Sequence, residues 1–140
     1  MPRQINLRIA LAADAVASGG MGLLLALGAG LLSPWLGLSR PLLLGAGLAL
    51  LPFAAFVAWT ALRRPPPAGA TRAILAINGA WIVASLVFVV MPPAPLTPLG
   101  VVFIMVQALA VLVLTLAQWV ALRGDLHAGV ESARRRSSWT

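Results

Sequence analysis

The chain has 140 residues, 61% of them hydrophobic and only 9% charged, with a mean hydropathy of +0.98. Soluble domains carry about 25% charged residues, so a water-facing globular domain is excluded and the bilayer must serve as the apolar solvent. There is no cysteine, which excludes a disulfide framework and thiolate metal sites, and the net charge of +7 rests on arginine alone.

A helix needs about 20 apolar residues to cross the roughly 30 Å hydrocarbon core. Four runs meet that length, over residues 9–32, 41–62, 73–91 and 98–122. An open strand in lipid would leave its backbone unpaired, so each run is predicted to be a helix. The expected fold is all-α, a polytopic transmembrane four-helix bundle forming one domain, with a tail over 123–140. The first run follows Arg3 and Arg8, as a signal peptide would. Signal cores run about 7–15 residues, and this run is longer and holds Asp14, so the span is expected to be retained. Pro41 and Pro98 stand at the first turns of the second and fourth runs, where a missing N–H costs nothing. Arg63-Arg64-Pro65-Pro66-Pro67 and Met91-Pro92-Pro93 end the second and third. Pro52, near the middle of the second run, frees the carbonyl of Leu48 and predicts a kink, and Gln107 lies deep enough to donate to that carbonyl.

Arginine placement sets the expected orientation. Arg3, Arg8, Arg63, Arg64, Arg72, Arg123, Arg134, Arg135 and Arg136 fall on one side of the bundle, and Arg40 alone falls on the other. Positively charged loops stay cytoplasmic, so both termini are expected inside (N-in/C-in). The arginines sit between apolar runs rather than on one folded face, and nucleic acid is not an expected partner. The partners expected are the lipid bilayer, other membrane subunits or a second copy, and anionic headgroups for Arg134, Arg135 and Arg136. The lack of lysine beside abundant Ala, Leu, Gly and Pro reads as a GC-rich genome, and the expected location is a bacterial cytoplasmic (inner) membrane.

Polar residues inside the spans carry the remaining information. Asp14 is the only acidic residue within a run; a carboxylate at a helix centre costs about 2.5–3.5 kcal/mol on insertion scales. It lies six residues beyond Arg8, or about 9 Å at 1.5 Å per residue. Asn78 lies six beyond Arg72, and Gln118 five before Arg123, at about the same depth. Thr60 is slightly shallower. Ser18 shares a face with Asp14, Ser85 with Asn78, and Gln107 with Gln118. One hydrogen-bonded layer of Asp14, Asn78 and Gln118 is therefore expected, with Ser18, Ser85 and Gln107 deeper. It serves either as structural glue, at about 0.6–2 kcal/mol per bond, or as a proton or cation site.

Enzyme chemistry finds no support. His127 is the only histidine and lies past the fourth run, so no histidine pair can hold a haem. Neither metal-ligand spacing, a phosphate loop nor a nucleophile–base pair occurs. No catalytic residue, metal or cofactor is expected.

Ala13-Asp14-Ala15-x-x-Ser18-Gly19, Asn78-x-x-Trp81-x-x-x-Ser85, Leu99-Gly100 with Gln107, and Gln118 before a basic end together resemble a loose group of small four-helix bacterial integral membrane proteins. That resemblance covers most of the chain and implies a membrane bundle without implying an activity. The small multidrug resistance family also has four helices and an acid in the first. This chain departs from it, with Asp14 for the expected glutamate and an arginine bias that opposes dual insertion. The functional expectation is a non-catalytic structural or accessory subunit of a membrane assembly; the alternative is a small proton- or cation-coupled carrier or channel using Asp14.

Overall fold

The computed structural model describes the backbone of residues 2–139 and the side chains of residues 6–139; Arg3 lies outside the described side chains. Four helices account for nearly all of it: α1 (Pro2–Leu36), α2 (Arg40–Leu62), α3 (Ala68–Val90) and α4 (Pro98–Ser137). All four are long and apolar enough to cross a membrane. The caps follow from local chemistry. Ser39 accepts from the Leu42 N–H and Thr97 from the Gly100 N–H, each just before a proline at the helix start.

The helices extend past the apolar runs. At 40 residues α4 is about 60 Å long, twice the hydrocarbon thickness, so residues beyond Arg123 continue as a helix outside the apolar span. The Arg135–Glu131 ion pair, four residues apart, lies on that exposed extension. Pro52 sits inside α2, which runs unbroken through it.

Successive helices run antiparallel. Arg8 near the start of α1 donates through Nε to the Ala61 carbonyl near the end of α2, at 3.0 Å. Thr97 before α4 donates to the Trp35 carbonyl at the far end of α1, at 2.8 Å. The helices are arranged as a square with one unfinished side. α1 packs closely on α2 and on α4, and α4 on α3, whereas α2 and α3 barely touch. Small residues make the closest of these approaches possible. A Cβ on Gly47 of α2 would lie 2.6 Å from the Ala26 nitrogen and 2.7 Å from the Gly22 oxygen of α1. At the other corner, a Cβ on Gly100 would overlap the Leu36 carbonyl oxygen.

Two apolar clusters close the ends of the bundle. Leu7, Leu11, Val57, Ala61, Ile74 and Leu122, one or two from each helix, pack at the arginine-rich end. Leu25, Ala29, Leu36, Leu38, Leu43 and Ile104 pack toward the other, with Phe88 and Val89 of α3 against them. Trp59 and Trp119 flank the arginine-rich end, with the guanidinium carbons of Arg63 and Arg123 at 4.6 and 4.7 Å from their ring centroids.

Candidate functional site

Between the two apolar ends lies the polar interior. Asp14 is 1% exposed, Asn78 3% and Gln118 0%. The Asp14 Oδ2 accepts from Asn78 Nδ2 at 2.9 Å and from Gln118 Nε2 at 2.7 Å, and Oδ1 accepts from Ser18 Oγ at 3.0 Å. One carboxylate thus ties α1 to α3 and α4 at a single depth. Both amides turn nitrogen toward the Asp14 carboxyl group, whose oxygen accepts from each. The cost falls on Gln118, whose Oε1 is buried with no hydrogen-bond partner.

Arginines and a second polar group complete the surroundings. Among the described residues no cation pairs with Asp14, and the single ion pair is the exposed one in the α4 extension. Arg8 spends its Nε on the Ala61 carbonyl. Further along the bundle axis, Trp81 Nε1 donates to Gln107 Oε1 at 2.8 Å, Gln107 Nε2 donates to Ser85 Oγ at 3.0 Å, and Ser85 Oγ donates to the Trp81 carbonyl at 2.8 Å.

The structure therefore places Asp14, Asn78, Gln118 and Ser18 in one hydrogen-bonded cluster, and Gln107 and Ser85 in a separate one. One detail differs from the sequence-based expectation. Gln107 does not reach the Leu48 carbonyl released by Pro52; both ends of its amide are engaged on α3. Thr60 joins neither cluster, since its hydroxyl returns to the Phe56 carbonyl of its own turn at 2.9 Å. Trp81 is a donor here, a role that the polar residues singled out in the sequence do not include. The signal was its spacing, three after Asn78 and four before Ser85, which puts all three on one face of α3.

Two cavities adjoin these clusters. One, of about 190 Å³, is lined by Asp14, Ser18, Asn78, Phe53 and Ile77 among others. The second, of about 340 Å³, is lined mainly by apolar groups including Leu25, Leu43, Phe88 and Phe103. They share Met21, Trp81 and Gln107, so they adjoin one another along the bundle. Both are lined by residues of all four helices, α2 and α3 among them, the pair whose backbones come close at few points.

Replacing Trp81 with phenylalanine keeps the ring and removes the N–H. The expected result is a loss of about 1–2 kcal/mol, the range for a membrane interhelical hydrogen bond plus an orphaned acceptor on Gln107. Unfolding in a mixed-micelle SDS titration reads that loss; an unchanged midpoint would show that the Trp81–Gln107 bond contributes nothing to the bundle.

Among the described residues no group of His, Cys, Asp or Glu could hold a metal ion. No protein-family profile, curated protein or solved structure matches the chain.

Proposed function

We propose that this multi-pass membrane protein is a small carrier or channel in which Asp14 binds a proton or an organic cation. The observation that supports this reading is a carboxylate buried in a membrane bundle beside a cavity, with neutral donors around it and, among the described residues, no paired cation. As glue alone, a charge is not needed: the three hydrogen bonds Asp14 accepts, at about 0.6–2 kcal/mol each, are of the same size as its insertion cost of about 2.5–3.5 kcal/mol. An asparagine would tie the same helices without the charge. Intramembrane acids retained without a counter-ion mark binding and transfer of positive charge.

The test is infrared difference spectroscopy of the reconstituted protein on acidification. A protonated-carboxyl stretch present in the wild type and missing in Asp14→Asn is expected, together with loss of gradient-driven flux in liposomes carrying that variant. If the Asp14→Asn spectrum matches the wild type and flux persists, Asp14 carries no charge in the function.

A second reading, an accessory subunit of a membrane assembly, is favoured by the unfinished side between α2 and α3 and by the exposed helical extension of α4. Purification in nanodiscs followed by native mass spectrometry separates the two, since an obligate subunit would leave the membrane with its partners. The arginine distribution supports a cytoplasmic location for both termini in a bacterial inner membrane, which a pair of terminal reporter fusions checks. Arg134, Arg135 and Arg136 at the end of α4 fit anionic headgroups.

A further inference from the structure

The cavity beside Asp14 lies between apolar clusters that stand toward the two ends of the bundle. Toward the arginine-rich end stands the cluster of Leu7, Leu11, Val57, Ala61, Ile74 and Leu122; Leu7, Leu11, Val57 and Ile74 are at most 1% exposed. Toward the opposite end stand Leu25, Ala29, Leu36 and Ile104. A hydrated ion would have to shed its water to pass either. A further direction is sideways, between α2 and α3, whose backbones come close at few points. Ile77 of α3, on the wall of that gap, is 46% exposed. In a bilayer that opening faces acyl chains, so whatever enters by it must already be dissolved in lipid.

The lining states the chemistry of the occupant. Its hydroxyl and indole donors are engaged: Ser18 on Asp14, and Trp81 on Gln107. Each lining amide also has one N–H committed, Asn78 to Asp14 and Gln107 to Ser85. What remains is the lone pairs of Asp14 Oδ1, Ser18 Oγ and Asn78 Oδ1, with one further N–H on each of Asn78 and Gln107, around a carboxyl group with no paired cation among the described residues. Gln118, which donates to Asp14, also carries a buried oxygen without a partner. Such a lining calls for a cation bearing N–H groups. It also disfavours an anion, which excludes a phosphate-linked headgroup beside Asp14. The adjoining apolar cavity, walled by Leu25, Leu43, Ala46, Phe88 and Phe103, offers room for a hydrocarbon tail.

We propose that this chain binds a long-chain primary amine, in its ammonium form, which enters from the bilayer between α2 and α3. The ammonium hydrogen-bonds to Asp14, and the alkyl chain lies along the second cavity. This rests on the reading of Asp14 as the charge-binding centre. It adds the class of ligand, its route and its preference for N–H donors, so that a quaternary ammonium of equal chain length binds less well.

The experiment uses the full chain in phosphatidylcholine nanodiscs, with tritiated hexadecylamine as the probe and empty nanodiscs to subtract partitioning. Saturable binding is expected, competed by unlabelled hexadecylamine but poorly by hexadecanol, hexadecyltrimethylammonium or hexadecyl sulfate. Adding phosphatidylethanolamine to the discs should not compete, which separates a free amine from a lipid headgroup. Asp14→Asn should weaken binding on the order of tenfold or more, as expected for loss of a charge-assisted hydrogen bond. Ile77→Trp, which narrows the side opening at an exposed position, should also weaken binding while leaving the Asp14 infrared band in place. It keeps the test valid if Asp14→Asn folds poorly. Binding no greater than in empty discs, equal competition by hexadecanol or the quaternary amine, or unchanged affinity in both variants would overturn the proposal. Absent amine binding with an intact Asp14 infrared band removes this inference and leaves the proton-binding reading standing; absence of both removes the two together.

Discussion

Asp14→Leu is expected to lower the stability of the bundle by about 2–6 kcal/mol, the sum of three lost membrane hydrogen bonds at roughly 0.6–2 kcal/mol each. The change strands Ser18 Oγ, Asn78 Nδ2 and Gln118 Nε2, all in residues less than 10% exposed. Gln118 would then lack partners at both ends of its amide, since Oε1 already has none. Asp14→Asn should be milder, at about 1–2 kcal/mol, because one carboxamide oxygen still accepts. Its new N–H group can also satisfy the Gln118 oxygen once that amide turns over. The order wild type, then Asn, then Leu is the diagnostic result in SDS-titration unfolding. Equal stability of the leucine variant and the wild type would mean that the cluster does not hold the helices together.

The comparison also separates structure from function. Asparagine restores most of the tie while removing the charge, so a scaffold should tolerate it and a proton or cation binder should not. That asymmetry makes Asp14→Asn the informative variant for function and Asp14→Leu the informative one for the fold.

Gly47→Ala is expected to destabilise the chain by about 1–3 kcal/mol, with Gly47→Val worse, as overpacking of a close contact costs. The obstacle is backbone on the opposite helix, the Ala26 nitrogen at 2.6 Å and the Gly22 oxygen at 2.7 Å from the added carbon, with the Leu25 Cβ at 3.0 Å. No rotamer change removes a backbone atom, so α1 and α2 must separate, and dispersion contacts along the most extensively packed pair weaken together. Gly45, two residues away, has nothing within 4 Å of its added carbon and serves as the control. Gly45→Ala should be neutral or slightly stabilising through helix propensity. If the two substitutions had the same effect, the close α1–α2 approach would not be a source of stability.

Much of this architecture follows from sequence because the bilayer supplies one long-range constraint in advance. The number of helices follows from run length against hydrocarbon thickness. The shared depth of Asp14, Asn78 and Gln118 follows from a fixed helical rise counted from the flanking arginines. Their bonding partners could be guessed because three polar groups at one depth in lipid have few alternatives.

Rotation of the helices about their axes is a different matter. Gln107 had two plausible partners at one depth, the Leu48 carbonyl and the polar face of α3, and only packing of α4 against α3 selected Trp81 and Ser85. Thr60 lay close to the depth of the Asp14 layer, yet its hydroxyl is satisfied within its own helix. The α4 extension through Ser137 is polar, so hydropathy gave no reason to continue the helix there.

The sequence by itself determined how many times this chain can cross a membrane and at what depth its polar groups sit, because both are one-dimensional quantities fixed by helical rise and apolar length. The tertiary structure alone decided that the backbones of α2 and α3 stay apart, that two cavities open among the four helices, and that Gln118 keeps an oxygen without a partner. Those features depend on which faces of four nearly uniformly apolar helices meet. On such helices the hydrophobic pattern is too even to encode the answer.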